Sequence, residues 1–292
     1  MTRFSNIFKV SRVNQYLKNV FILFPAFFAM KFTDIDTIKN ISMAFISFSL
    51  ISSAVYVFND IKDRQEDQNH PIKKHRPIAS GEITLSEAFK LIAIYVLFGM
   101  VFAISLNESV IMLILAYMFM NLLYSQGLKN FAIVDVMIIA LGFVLRIFVG
   151  AYAAGIEPTH WIVTLTFLLA LFLGFAKRRD DQILIENGKL NKKRQSHSGY
   201  NIDFINSTIV VLASLIIMTY MFWTLSPSEM LKFNSNNIYF SSFFVLLGVM
   251  RYMQLIFVKN KTGDPTMVLI KDRVIQVSII LWLLSLYLVI YS

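Results

Sequence analysis

The chain has 292 residues, 57% hydrophobic, 14% aromatic and only 15% charged, with a mean hydropathy of +0.62. A soluble domain carries about 25% charged residues, so composition excludes a soluble globular enzyme and predicts an all-α, polytopic membrane protein. Cysteine is absent and the four histidines, at 70, 75, 160 and 197, are scattered, which excludes disulfides, thiolate chemistry, structural zinc and a Ser–His hydrolase.

Nine spans are predicted in chain order, over roughly 14–31, 40–58, 88–106, 109–127, 132–154, 161–176, 205–225, 237–258 and 273–291. Each lies near the roughly 20 residues that cross a bilayer. The opening MTRFSNIFKVSRVNQYLKN is basic and lacks a small-residue cleavage site, so it reads as a retained amphipathic segment. Lys18 stands at the start of the first span, where its ammonium can face headgroups or a phosphate. Pro25 falls inside that span and is expected to kink it, while the other five prolines lie outside the spans. With the N-terminus inside, the inner segments hold 21 Lys and Arg against 3 outside. That asymmetry places the N-terminus in the cytoplasm and the C-terminus outside. Topology and anionic lipid therefore account for the net charge of +9, and no nucleic-acid partner is required.

The second span ends at Phe58 and runs into NDIKDRQEDQNHPIKKHRPIASG, residues 59–81. If its helix continues through Asp67, then Asn59, Asp63 and Asp67 recur at i, i+4 and i+8. Asp60 lies three residues before Asp63, so all four share one stripe. Carboxylates in helical register repel one another unless a cation sits among them. The hard cation Mg2+ suits them, since it takes a few carboxylates and leaves room for water and substrate phosphate. The basic run Lys73, Lys74, His75 and Arg76 would hold phosphate charge that the metal leaves. Arg76-Pro77 and Ser80-Gly81 read as a turn, and Thr84 with Glu87 as a capping box for the third span. Asn107-Glu108 makes a short outer hairpin. Tyr124 closes the fourth span, and Lys129 marks the cytoplasmic edge.

The fifth span buries Asp135 near its cytoplasmic end and Arg146 eleven residues on, on the same face. Ionisable groups at that depth face a bundle interior, either as an ion pair or as part of a site. Gly142, Gly150 and Gly155 point to close helix packing. The sixth span ends at Lys177-Arg178-Arg179-Asp180-Asp181, three cations on the same side as the acidic stripe. The later triplet Lys192-Lys193-Arg194 reads as a solvated or lipid-facing patch, and Thr262-Gly263-Asp264-Pro265 as a turn.

The N-D-x-x-D-x-x-x-D stripe followed by R-P-x-x-S-G resembles the first Asp-rich motif of the UbiA superfamily of intramembrane prenyltransferases. The segments QYLKN, HPIKKHRPIASG, NLLYSQGLK, LGFVLR and AKRR, with Asp272-Arg273 before the last span, extend the resemblance over nearly the whole chain. They point to its decaprenyl-phosphate phosphoribosyltransferase branch. Asp180-Asp181 departs from the small residue and Glu expected after KRR. The resemblance implies a nine-helix bundle, a single transferase domain over 1–292, and a site on the cytoplasmic face of a bacterial-type plasma membrane. It implies Mg2+ on Asn59, Asp60, Asp63 and Asp67, with Asp60, Asp63, Lys177 and Arg178 as catalytic groups. Lys18, Lys73, Arg76, Tyr124, Lys129, Asp135, Arg146 and Arg179 would contact substrate. The implied reaction moves 5-phosphoribosyl from phosphoribosyl pyrophosphate to a polyprenyl phosphate. A lipid phosphate is already anionic, so no general base is needed. Two alternatives stay open: an aromatic or quinone prenyltransferase using a prenyl diphosphate, and a transporter coupled through Asp135 and Arg146.

Overall fold

The computed structural model describes residues 3–69, 73–188, 199–259 and 265–291, and every regular element among them is helical. The triplet Lys192-Lys193-Arg194 and most of the Thr262–Pro265 turn lie outside the described residues. Among those described, seven helices are long and apolar enough to cross a membrane, and Arg273–Val289 is a shorter apolar one. The chain divides into two compact units, Met1–Leu128 with Leu145–Pro158, and Lys129–Val144 with Thr159–Ser292.

The first unit is built around α3, Ile35–Lys62, which starts where Asp34 accepts a hydrogen bond from the Thr37 N–H at 3.2 Å. This helix has no single apolar face. It buries Ala44, Phe48, Ile51 and Val55 together with Ser47, Ser49, Ser52 and Ser53. Small residues let neighbouring helices approach closely in an apolar setting, and Ser47 Oγ donates to the Gly99 carbonyl of α5, Leu85–Ile104, at 2.7 Å. The expected capping box opens α5, with both Thr84 and Glu87 bonds formed. Asn107 caps α6, Glu108–Gln126, through the Val110 N–H at 3.0 Å.

The N-terminal part differs from a plain span. After α1, Arg3–Ser11, Arg12 turns left-handed at φ 51°. Val13–Leu23 then forms a 3-10 helix of 11 residues, and Phe24–Phe28, α2, completes it. Pro25 does not kink a helix interior, because it sits in the first turn of α2, where its missing N–H costs nothing. The glycines also divide. Gly150 on α7, Val134–Ala153, packs as expected: a Cβ there would lie 1.9 Å from the Ile22 carbonyl oxygen. Gly155 has φ +62° and open space around it, so it serves a turn and not a helix contact. Gly150→Ala is therefore expected to lower the unfolding midpoint by several degrees, far more than alanine at Gly127, the C-cap of α6, where nothing lies within 4 Å. Differential scanning fluorimetry in detergent checks the contrast.

The second unit takes the first half of α7 and α8, His160–Glu186. It also holds α9 (Ile202–Thr224), α10 (Pro227–Lys232), α11 (Ser241–Phe257), α12 (Pro265–Lys271) and α13 (Arg273–Tyr291). Its core joins Val136, Ala140, Phe172, Ile205, Ile209, Tyr252 and Ile256. The sixth span was expected to stop before Lys177, but α8 runs on through Glu186. Its charges lie within a helix, because the residues from Lys177 to Glu186 include no glycine or proline to end it.

Candidate active site

The acidic stripe lies in the first unit and is not one unbroken helix. Lys62 ends α3, Asp63 is the cap at φ −86° and ψ 1°, and α4, Arg64–Gln68, resumes after it. Near-helical bonds still cross the break, from Asp63 N–H to Asn59 at 2.9 Å and from Asp67 N–H to Asp63 at 2.8 Å. The loop that follows is fixed from below. Ile78 and Ile83 are buried with Val10, Val57 and Ala88, and Gln68 Nε2 donates to the Ala79 carbonyl at 3.2 Å.

This framework brings Arg76 to the stripe. Its Nη1 donates to Asp60 Oδ1 at 3.0 Å and to Asp67 Oδ2 at 2.7 Å. Lys73 Nζ lies 3.9 Å from the other Asp67 oxygen. Arg12 Nη2 also donates to Asp60 Oδ1, and the Arg12 guanidinium covers the Tyr56 ring at 5.1 Å. Both carboxylates are buried, at 3% and 2% exposure. Arg12 carries no motif signal. It reaches Asp60 across 48 residues through a left-handed turn, and its only sequence cue is position beside a predicted span.

The four residues of the stripe have different partners. Asn59 Oδ1 accepts from Ser125 Oγ, which itself donates to the Asn121 carbonyl at 2.9 Å. Asp63 is half-buried at the helix break. Among the described residues no three acidic or histidine side chains gather for a metal. Asp60 and Asp67, however, converge on a single cationic nitrogen. Mg2+ needs only one or two carboxylates beside water and phosphate, so this pair fits the ion once Arg76 gives way.

The second unit holds the other cluster. Arg178 and Arg179 are buried, at 4% and 7% exposure, whereas Lys177 is exposed. Arg178 Nε donates to Asp135 Oδ2 at 2.7 Å and Nη1 to Asp181 Oδ2 at 3.1 Å. Tyr200 donates to the other Asp135 oxygen at 2.7 Å and accepts from the Ile133 N–H. Burial raises the Tyr200 hydroxyl above its ordinary value and the Asp135 bond raises it further, so it stays a donor. Arg179 Nε donates to Asn206 Oδ1 and Nη1 to the Ile256 carbonyl, both at 2.8 Å, joining α8 to α9 and α11. Asp135 thus has an ion-pair partner. Neither Tyr200 nor Asn206 belongs to a sequence motif.

Arg146, on the half of α7 in the first unit, takes different partners. Its Nε donates to Asn19 Oδ1 at 2.9 Å, and its guanidinium lies over Phe48 and Tyr117 at 4.7 and 5.4 Å. Lys18, Tyr124 and Lys129 are half-buried. Away from these clusters, Asp272 accepts from Arg251 at 3.2 and 2.8 Å and caps α13 through Val274 and Ile275. The Arg251 hydrogen bond holds the Asp272 carboxyl below its ordinary 3.8. Its stabilisation is then present above 3.8 and lost as pH falls through the lower folded value. Asp272→Asn is expected to flatten the acid limb of a stability profile measured between pH 5 and about 2.5.

Comparison with known proteins gives the family and the fold. The UbiA prenyltransferase family profile matches residues 19–271. A relative named decaprenyl-phosphate phosphoribosyltransferase from Corynebacterium glutamicum is 28% identical, over 97% of this chain and 86% of its own. One of the same name from Mycolicibacterium smegmatis is 26% identical, over 96% and 90%. A structure of a UbiA homolog from Archaeoglobus fulgidus bound to DMAPP and Mg2+ superposes with a TM-score of 0.72. It is 16% identical and covers 98% of this chain and 99% of its own, so it speaks for the fold.

Proposed function

This chain belongs to the UbiA prenyltransferase family as an integral membrane transferase, and from that premise we propose that it transfers 5-phosphoribosyl from phosphoribosyl pyrophosphate to a polyprenyl phosphate. The observation that carries the reading is the convergence of Asp60 and Asp67 on one cationic nitrogen. Relatives named for this activity and matched over nearly the whole chain support it.

Asp60 and Asp67 would hold Mg2+, with Asn59 and Asp63 on the same turns. Bound there, the ion supplies charge neutralisation for a departing pyrophosphate. Arg76, Arg12 and Lys73 would exchange their carboxylate partners for phosphate oxygens, with the guanidinium forks gripping two at a time. Within the first unit Lys18 would add charge for phosphate, and within the second Lys177 would do so on the helix that Arg178 ties to Asp135. The lipid phosphate oxygen attacks C1 of the ribose with its own negative charge, so positioning and charge stabilisation carry the rate.

We place the site at the cytoplasmic face of a nine-span, single-domain protein of the plasma membrane. The first segment supports nine, since 11 residues of 3-10 helix at about 2.0 Å each plus α2 reach nearly 30 Å. The 19 residues of α13 reach about 28 Å.

The donor decides the reading. Purified protein is expected to bind phosphoribosyl pyrophosphate only with Mg2+, without lipid, in competition with pyrophosphate and ribose 5-phosphate. Geranyl and farnesyl diphosphate should compete no better than pyrophosphate. A prenyl diphosphate donor would instead gain up to about 0.8 kcal/mol per buried methylene. Tight prenyl diphosphate binding with no phosphoribosyl pyrophosphate signal, as the DMAPP-bound fold relative would lead one to look for, would transfer the chain to the aromatic prenyltransferase reading. Isothermal calorimetry separates the two.

A further inference from the structure

The 3-10 helix from Val13 to Leu23 keeps its geometry over 11 residues, although runs beyond three or four are uncommon. VNQYLKNVFIL has no proline or glycine to force it. The reason lies in what it touches. Three residues per turn stack Tyr16, Asn19 and Ile22 in one row. Tyr16 meets Ser53 at 2.8 Å, and Asn19 donates to Ser49 at 2.9 Å, two positions four apart on α3. Arg146 donates to Asn19 at 2.9 Å, and the Ile22 carbonyl rests on Gly150, again four apart on α7.

The rises match. Three 3-10 residues advance about 6 Å, and four α-helical residues also advance about 6 Å. Were the segment α-helical, positions three apart would advance only about 4.5 Å and turn about 60° away from one another. Neither pair of contacts would then close.

We propose that Arg146 is a positioning residue: with Gly150 on α7 and Ser49 and Ser53 on α3, it templates the 3-10 segment and thereby holds Arg12 on Asp60. Arg12 is the residue directly before the segment and takes a left-handed conformation at φ 51° and ψ 47°, disfavoured for a side chain with a Cβ. The neighbouring segment must hold it there. The functional half of the inference rests on the carboxylate pair being the pyrophosphate site.

The chain has no cysteine, so Asn14→Cys, at an exposed position, gives a single spin-label site on the segment. The label is expected to be ordered in an otherwise native chain and in Leu141→Ala, an exposed change on the same helix. It should gain a mobile component in Arg146→Gln and a smaller one in Ser49→Ala. An unchanged spectrum in Arg146→Gln overturns the templating. Calorimetry with Mg2+ and inorganic pyrophosphate reads the link to the site. Arg146→Gln should weaken binding about tenfold alone and less than about twofold in an Arg12→Gln background, because coupled residues are not additive. Equal losses in both backgrounds overturn the connection to Asp60. Failure of the unaltered chain to bind Mg2+ and pyrophosphate instead overturns the site reading, and the label still decides the templating.

Discussion

Asp67→Ala is expected to cut transferase turnover by about 10²–10³-fold, the scale at which losing one group that stabilises developing charge is felt, while the protein stays folded in detergent. Asp67 is buried at 2% exposure, but its partners Arg76 and Lys73 are 28% and 36% exposed. Removing the carboxylate therefore leaves cations that water can solvate, and the fold survives. Asp60→Asn should behave alike, since Arg12 is also 28% exposed. Turnover within a few-fold of the unaltered chain in both variants, measured with labelled phosphoribosyl pyrophosphate and polyprenyl phosphate, would remove the carboxylates from the site.

Asp135→Asn should do the opposite. Arg178 and Asp135 are 5% and 0% exposed, so neutralising the acid strands a guanidinium away from water and also weakens the acceptor of Tyr200. Breaking a buried pair costs about 3–5 kcal/mol, enough to lower the thermal midpoint by many degrees. Replacing both partners with an apolar pair of similar volume should restore much of that loss. A variant that melts normally but loses substrate affinity would give Asp135 a direct substrate role instead. The two acids are thus expected to separate by measurement, Asp67 through rate and Asp135 through stability.

The helical membrane architecture was legible from the spacing of apolar runs, and most predicted spans lie within a few residues of helices such as α6, α7 and α11. Local chemistry was legible too, as at the Thr84–Glu87 capping box. The convergence of Asp60 with Asp67 followed from their spacing, but the break at Asp63 did not, because no glycine or proline marks it. What sequence could not show was partnership over distance. Arg12 finds Asp60, Arg146 finds Asn19, and Arg178 finds Asp135 across 48, 127 and 43 residues. The charge cluster of α8 looked like the end of a span, since a run of cations beside an apolar stretch reads the same whether the backbone stops or continues.

The two helices that carry the charged clusters are the longest in the molecule among the described residues, 28 residues in α3 and 27 in α8. At about 1.5 Å per residue they measure about 42 and 40 Å, some 10 Å more than a hydrocarbon layer of about 30 Å. Surplus turns at the charged ends are expected to stand clear of the acyl chains. Bilayer thickness is then expected to set how deeply the carboxylates proposed for the site sit: short-chain lipids would lift them into water, and long-chain lipids would draw them toward the headgroups. If the acceptor is a lipid, as proposed above, the host membrane is expected to be a determinant of rate alongside the substrates.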